Sequence, residues 1–155
     1  SFLLPGLNYR LSEINSVLGL DQIESINNKI RHRRKIAKIY NSIFQNEKDL
    51  ILTQEKANVY CNYQSYHILL KNNSIRNKLK HFLYKNKIES NVGAQAIPYQ
   101  HYYRKKYNYD FKDFPVCNRV FKKGLVIPIG EHITEQNAFL IGKKIIKFLK
   151  LSFNK

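Results

Sequence analysis

The chain has 155 residues, of which 43% are hydrophobic and 25% charged, and this composition predicts one globular domain. It lacks both a signal-peptide pattern and an apolar run of the roughly 18 residues that a membrane span needs, and its two cysteines favour free thiols in the cytoplasm. The net charge of +16 is extreme, but the basic residues are spread along the sequence, which is typical of a solvated surface.

A long helix is predicted over about 12–45. Ser12 suits an N-cap, and apolar residues recur at helical spacing from Ile14 onward. Gly19 weakens the middle of this helix, so a kink with a new cap at Asp21 is an alternative. A helix of this length exceeds what one small core covers, which predicts that it crosses between substructures or lies in an interface.

The rest of the chain alternates strand and helix patterns. The first predicted elements after the long helix are a loop over 46–58, a strand or hairpin arm over 59–70, and a helix with apolar Ile75, Leu79, Phe82 and Leu83. A short strand over 87–92 and an ordered loop with one helical turn over 93–111 follow. The last elements are a short helix over 114–124, a strand over 125–130 and a helix capped by Thr134. This order indicates an α/β fold, of the α+β kind, with a small sheet covered by helices.

Signatures of catalysis are missing. The sequence has no nucleophile elbow, phosphate-binding loop, HExxH or CxxC, and His67 is interpreted as a satisfied core histidine of an apolar strand. The loop "GLNYR" is the exception, because Asn8 and Arg10 precede a helix N-terminus, where free N–H groups and the helix dipole favour an anion. For these residues alone, a helix start with Arg10 on the surface is the simpler interpretation.

A larger pattern runs through the chain. The motif G-x-N-x-R-[LM]-x-[ED]-[IL] is matched by Gly6, Asn8, Arg10, Leu11, Glu13 and Ile14. The motif L-x-Q-[LI] is matched by Leu20, Gln22 and Ile23. The motif R-R-x-x-A-x-x-Y is matched by Arg33, Arg34, Ala37 and Tyr40. "YHILL" (66–70), "KNKIESNVGAQAIPYQHYY" (85–103) and "FPVCNRVFKKGLVIPIGEHITEQ" (114–136) follow in the same order. In residue types and spacings, the chain closely resembles the nucleotide-sugar aminotransferases that use pyridoxal phosphate, the DegT/DnrJ/EryC1/StrS group.

The resemblance implies the C-terminal domain of a fold-type-I, pyridoxal-phosphate-dependent transferase. Residues 1–45 would form a loop and a long interdomain or interface helix, and 46–155 a small α/β domain. The large domain with the cofactor-bearing lysine would lie outside this chain, so no catalytic residue is assigned and the segment alone is expected to be inactive. A homodimer with shared active sites is expected, in which Asn8 binds the cofactor phosphate of the partner subunit and Arg10 lies near the same site.

The turn after the short strand departs from the family pattern G-[VL]-[HY]-[YF]-x-x-x-H. Gly93 and Ala94 replace the aromatic pair and Pro98 replaces the histidine, so Gln95 and Tyr99 are the candidate substrate contacts. The resemblance implies that the complete enzyme transfers an amino group from glutamate to a nucleotide-linked keto-deoxysugar. The product would enter surface-glycan or amino-sugar biosynthesis, and no metal ion is expected in the site. Two alternatives stay open: a non-catalytic, stand-alone basic binding module, and a nucleic-acid-binding domain driven by the +16 charge.

Overall fold

The computed structural model describes residues 9–153. Their helices and strands, in chain order, are α1 (Glu13–Phe44), β1 (Leu50–Leu52), β2 (Tyr66–Leu70), α2 (Asn73–Lys85), β3 (Asn91–Val92), α3 (His101–Tyr107), α4 (Pro115–Lys123), β4 (Gly124–Ile127) and α5 (Glu135–Phe153), with 3₁₀ turns at Ile97–Tyr99 and Phe111–Asp113. None of these helices combines the length and the apolar character of a membrane span.

The strands form one sheet in the order β1-β2-β4-β3, and every neighbouring pair is antiparallel. Side chains alternate between the two faces of a strand, so the buried Tyr66 and Ile68 point into the core while His67 points to the opposite face. On β4, Leu125 and Ile127 pair with Ile68 and Tyr66 across the strands and extend the same apolar face. The predicted small sheet covered by helices, and the α/β fold class, are thereby confirmed.

Tyr40 of α1 lies at the centre of the core. It is fully buried, and its ring centroid is 4.9 Å from that of Tyr66. The Tyr40 hydroxyl donates a hydrogen bond to the Pro128 carbonyl (2.8 Å), and the Tyr66 hydroxyl donates to the Asn41 side chain (2.6 Å). Burial raises the pKa of both tyrosines, so both stay protonated and their polar ends are satisfied inside the core.

The C-terminal half of α1 packs closely against α5. A Cβ atom added to Gly142 of α5 would lie 2.7 Å from Cδ1 of Ile43, so the Ile43 side chain would have to shift to admit a larger residue. The start of α5 is fixed by Thr134, whose hydroxyl accepts a hydrogen bond from the backbone N–H of Asn137 (3.1 Å). The predicted cap at Thr134 is therefore confirmed.

The N-terminal half of α1 is different, because its apolar side chains are exposed. Leu11, Ile14, Val17, Leu18, Leu20, Ile23 and Ile26 are between 46% and 75% exposed. The helix is nevertheless continuous from its cap at Ser12, whose side chain accepts a hydrogen bond from the Asn15 N–H (3.3 Å). The predicted helix over 12–45 is confirmed, and the alternative of a new cap at Asp21 is wrong.

Several predicted boundaries are wrong. The polar loop predicted over 46–58 contains the strand β1. This strand forms because Leu50–Leu52 pair with the C-terminal end of β2, and its three residues are too few to show a periodic pattern in the sequence. The strand predicted over 59–70 begins only at Tyr66, and the one predicted over 87–92 is only Asn91–Val92. The segment 93–111 holds more helix than one turn, because it contains α3 as well as the 3₁₀ turn at Ile97–Tyr99.

Candidate functional site

The first candidate group lies at the start of α1. Asn8 is outside the described residues, so its predicted contact with the cofactor phosphate stays a prediction. Arg10 is exposed and lies two residues before the cap Ser12. Ser12 accepts a hydrogen bond from the N–H of Asn15, and the guanidinium of Arg10 near this helix end is of the type that binds phosphate or carboxylate.

The second candidate group is the turn that follows β3. Gln95 is exposed, whereas Tyr99 is half-buried, with its ring centroid 3.6 Å from that of Phe111 and 5.3 Å from that of Phe121. The Tyr99 hydroxyl is enclosed and has no hydrogen-bond partner among the described residues. Its pKa is raised, first by desolvation and then by the nearby Cys117 and Asp110. Gln95 and Tyr99 thus lie on one segment of the chain, which is a different element from the one that carries Arg10.

His67 adjoins this turn, although the sequence did not suggest it. A Cβ atom on Gly93 would lie 2.1 Å from Nε2 of His67, and one on Gly124 would lie 2.8 Å from its Cε1. The enclosed Nε2 makes no hydrogen bond of ordinary geometry, and burial lowers the His67 pKa while the Gly93 backbone partly opposes the shift. The prediction of a satisfied core histidine is therefore wrong. Period-two alternation in "YHILL" is the signal that places His67 on the face opposite the core.

Arg34 lies in the basic stretch "RHRRK" (31–35), and its side chain binds a loop of the chain itself. Its guanidinium donates to both carboxylate oxygens of Glu55 (2.8 and 3.2 Å) and to the Cys61 carbonyl (2.7 Å), and it lies 4.0 Å from the Tyr60 ring centroid. Glu55 also accepts a hydrogen bond from the Cys61 N–H (2.6 Å). The hydrogen bond from Arg34, and then that from Cys61, hold the pKa of Glu55 below its usual range. These contacts fasten the segment 53–65 to α1.

Burial can activate a lysine for bonding to pyridoxal phosphate. Among residues 9–152 no charged side chain is buried, so no lysine of this range is activated in that way. Within the same range, no three His, Cys, Asp or Glu side chains form a group that could hold a metal ion. Arg10, beside the α1 N-terminus, has the charge that suits the phosphate group of the cofactor.

Comparison with known proteins identifies the family. Residues 2–145 match the model of the DegT/DnrJ/EryC1/StrS aminotransferase family, and the chain belongs to that family. It is 27% identical over 145 residues to dTDP-4-amino-4,6-dideoxy-D-glucose transaminase from Escherichia coli, covering 92% of this chain and 39% of the relative. It is also 27% identical over 154 residues to GDP-4-keto-6-deoxy-D-mannose 3-dehydratase from Yersinia pseudotuberculosis, covering 92% and 38%.

A solved structure supports the fold. The putative sugar aminotransferase Spr1654 from Streptococcus pneumoniae, in its PMP form, matches with a TM-score of 0.84 and 21% identity over 98% of this chain and 40% of that chain. The chain thus spans about two fifths of the length of the proteins it matches. The family and the fold inferred from the sequence are both confirmed.

Proposed function

We propose that the chain is the C-terminal part of a pyridoxal-phosphate-dependent aminotransferase that acts on a nucleotide-linked keto-deoxysugar. The observation that carries this proposal is the family match over residues 2–145, which runs through the described domain without interruption. The two curated relatives described above are named for nucleotide-linked deoxysugars, which supports the substrate class. One is named a transaminase and the other a dehydratase, so the reaction has to be tested directly.

The chain's own residues would bind and orient groups in the shared active site. When bound, pyridoxal phosphate supplies the electron-accepting ring that makes amino transfer possible. Asn8 would donate a hydrogen bond to the cofactor phosphate of the partner subunit, and Arg10 would add positive charge beside it. Gln95, which is exposed, and Tyr99, which is half-buried, would contact the sugar substrate. The cofactor-bearing lysine would come from a large domain beyond these residues, and the segment alone would be inactive.

The assembly would be a homodimer in the cytoplasm. The exposed apolar residues between Leu11 and Ile26 support an interface, because a row of large apolar side chains on one helix half gains free energy when it is covered. Cys61 and Cys117 are both free, which suits a reducing compartment. Glutamate would supply the amino group, and the product would enter surface-glycan or amino-sugar biosynthesis.

The experiment uses the protein together with any reading frame upstream of Ser1 that encodes S-x-x-x-x-K. The protein is given pyridoxal phosphate, glutamate and the 4-keto precursor of the dTDP-linked amino sugar, and the products are identified by mass. A parallel reaction with GDP-4-keto-6-deoxy-D-mannose reports loss of water instead. Formation of the amino sugar together with 2-oxoglutarate supports the proposal. Dehydration of the GDP-linked sugar would show that the enzyme is a dehydratase instead. If neither reaction occurs, the non-catalytic binding module is favoured.

Asn8→Ala tests the shared site in the same complete enzyme. A hydrogen bond to a charged group contributes about 1.5–3 kcal/mol, so cofactor affinity should fall by roughly ten- to a hundredfold. Turnover at saturating cofactor should largely recover, because the cofactor-bearing lysine lies elsewhere. The measurement is a cofactor titration of the apo-enzyme followed by turnover at saturation. Unchanged cofactor affinity would show that Asn8 only shapes the start of the helix.

A further inference from the structure

The two sides of α5 differ in exposure and charge. The side that faces the core is lined by four buried residues, Ala138, Ile141, Ile145 and Leu149. The opposite side carries three large apolar side chains that are between 50% and 65% exposed, Phe139, Leu140 and Leu151. It also carries three exposed lysines, Lys143, Lys147 and Lys150. These six residues are here called the α5 outward face.

The lysines of the α5 outward face have no acidic partner. Glu135 is the last acidic residue of the sequence, and it forms an ion pair with Lys35 of α1 (2.5 Å). Within residues 9–152, none of the three lysines forms an ion pair. The Lys143 ammonium lies 5.3 Å from the ring centroid of Phe139, one helical turn away, and both side chains stay exposed. The face therefore combines uncompensated positive charge with apolar surface.

The neighbouring helix α2 extends the positive charge. Phe82 of α2 packs on Phe148 of α5, with 5.1 Å between the ring centroids. Lys78 lies four residues before Phe82 and Lys85 three residues after it, so both share the side of α2 that adjoins α5. Both lysines are exposed, and α2 contains neither aspartate nor glutamate. Five lysines thus lie on the adjoining sides of two packed helices.

This combination of groups suits the surface of an anionic lipid bilayer. Negative headgroups attract the lysine ammonium groups, whose aliphatic stems let apolar neighbours enter the boundary with the acyl chains. A helix of 19 residues is about 28 Å long, so α5 can meet such a surface along its whole length. A nucleic acid is instead recognised through arginine forks and stacked rings, and the α5 outward face has no arginine and a single ring.

We propose that α5 lies flat on the surface of an anionic phospholipid membrane. Lys143, Lys147 and Lys150 would meet the negative headgroups, while Phe139 and Leu151 would enter the boundary between headgroups and acyl chains. The opposite side of α5 stays in the core of the domain, so the helix lies on the bilayer and does not cross it. This membrane surface goes beyond the proposed function and requires neither cofactor nor substrate.

The first test measures binding of the chain to sucrose-loaded vesicles by sedimentation. Vesicles of phosphatidylcholine alone are compared with vesicles that also contain about 30% phosphatidylglycerol. A dodecamer of thymidylate is titrated in parallel. The α5 lysine variant is Lys143→Gln/Lys147→Gln/Lys150→Gln. Its matched control removes three exposed lysines from other elements, Lys56→Gln/Lys105→Gln/Lys112→Gln. Circular dichroism checks that both variants are folded.

Tryptophan fluorescence identifies the part of the chain that meets the lipid. The sequence contains no tryptophan, so Phe139→Trp introduces a single indole into the α5 outward face. Tyr84→Trp is one control, because Tyr84 is 80% exposed and lies two residues from Phe82, on the other side of α2. Leu18→Trp is the second control and reports on the exposed half of α1, the other large apolar surface. Emission shifts to shorter wavelength when an indole leaves water.

The expected result is binding to the anionic vesicles with a blue shift for Phe139→Trp alone. Each lysine near an anionic surface strengthens binding by about fivefold, so the α5 lysine variant should weaken it by roughly a hundredfold. The control variant should weaken it by less than about fivefold, because charges far from the contact are screened.

Four outcomes would overturn the proposal. These are absence of vesicle binding, equal binding to both lipid compositions, equal losses in the two lysine variants, and a blue shift at a control position instead of at Phe139→Trp. Oligonucleotide binding that the α5 lysine variant loses, without any vesicle binding, would replace the membrane with a nucleic acid as the partner. Because no transamination is measured, this proposal and the proposed function can fail independently.

Discussion

The two halves of α1 have the same kind of sequence but different surroundings. Both carry isoleucines at helical spacing, yet Ile36 is fully buried whereas Ile23 is 66% exposed. The C-terminal half packs on α5 and the sheet, with Tyr40 and Phe44 inside the core. The difference shows that one continuous helix can belong to a domain at one end and present an uncovered apolar face at the other.

This contrast explains why the helix is longer than the domain needs. Ile36 is the first fully buried residue of α1. The helix extends before it with apolar side chains that are exposed and so contribute no free energy of burial. The two relatives compared above are more than twice as long as this chain, and the proposed dimer interface would cover this face. Each half can be tested separately.

The largest expected effect is on the free energy of unfolding, and it comes from a matched pair of substitutions that shorten an isoleucine side chain. Ile36→Ala removes buried methyl groups, and we expect it to lower the free energy of unfolding by about 2–5 kcal/mol. Ile23→Ala is the same chemical change on the exposed half and should alter stability by no more than about 0.5 kcal/mol. Urea unfolding followed by circular dichroism measures both. Equal losses would show that the exposed half is covered in the folded chain in solution.

The next expected effect is on self-association of the complete protein. Leu18→Ser removes one apolar side chain from the exposed half of α1, and Leu151→Ser removes a comparably exposed leucine from α5. Covering such a side chain contributes about 1.5–3 kcal/mol, so Leu18→Ser should weaken dimerisation by roughly ten- to a hundredfold. Leu151→Ser should leave it unchanged. Sedimentation equilibrium gives both constants, and a wild-type protein that is monomeric at all concentrations would contradict the interface.

Local signals predicted most of the helices. Ser12 and Thr134 cap the helices that follow them, and α2 carries its apolar stripe at i, i+4, i+7 and i+8 through Leu79 and Leu83. Capping and helical spacing involve neighbouring residues, so a sequence displays them directly. The helix α4 likewise begins at Pro115, as its proline predicts.

The sheet and the site were harder to predict, because they depend on residues far apart in the chain. β1 exists only because it pairs with β2, and no pattern within three residues can show that. His67 of β2 likewise lies close to Gly93, the residue after β3, because β4 pairs with both strands and lies between them. Stacking of Tyr103 on Tyr107 is an i, i+4 contact that the sequence does contain, but five tyrosines in one segment without a sustained period suggested a loop instead.

The two halves of α1 also differ in how they accept an added methyl group. A Cβ atom on Gly19, in the exposed half, would have no neighbour within 4 Å, whereas one on Gly142 would meet Ile43 of the buried half. We expect Gly19→Ala to raise the helical circular dichroism signal and to stabilise the helix by about 0.5–1 kcal/mol. Gly142→Ala should gain less stability than Gly19→Ala, because the Ile43 side chain would have to shift to admit the methyl group. A destabilising Gly19→Ala would indicate that a second element packs on the exposed half.

The smallest expected effect concerns Arg34, the residue that fastens the segment 53–65 to the buried half of α1. Arg34 and the Cys61 N–H lower the pKa of Glu55 in the folded state. A carboxyl whose folded pKa lies below its unfolded value stabilises the fold above the unfolded pKa, about 4.3 for glutamate. That stabilisation is lost as the pH falls through the folded pKa. Wild type should therefore have a higher urea midpoint than Glu55→Gln at pH 7, and the difference should shrink steadily below about pH 4.

Glu24→Gln is the control, because it removes the same charge from the exposed half of α1, where Glu24 has no ion-pair partner among the described residues. Its urea midpoint should follow that of wild type at every pH. Arg34→Lys complements the test, since a lysine keeps the charge but cannot donate to both carboxylate oxygens and the Cys61 carbonyl in the same fixed geometry. It should lose part of the stability at pH 7. If Glu55→Gln instead differed from wild type by the same amount at pH 7 and at pH 3, the ion pair would contribute nothing and the segment would be held by the Tyr60 ring and backbone contacts alone.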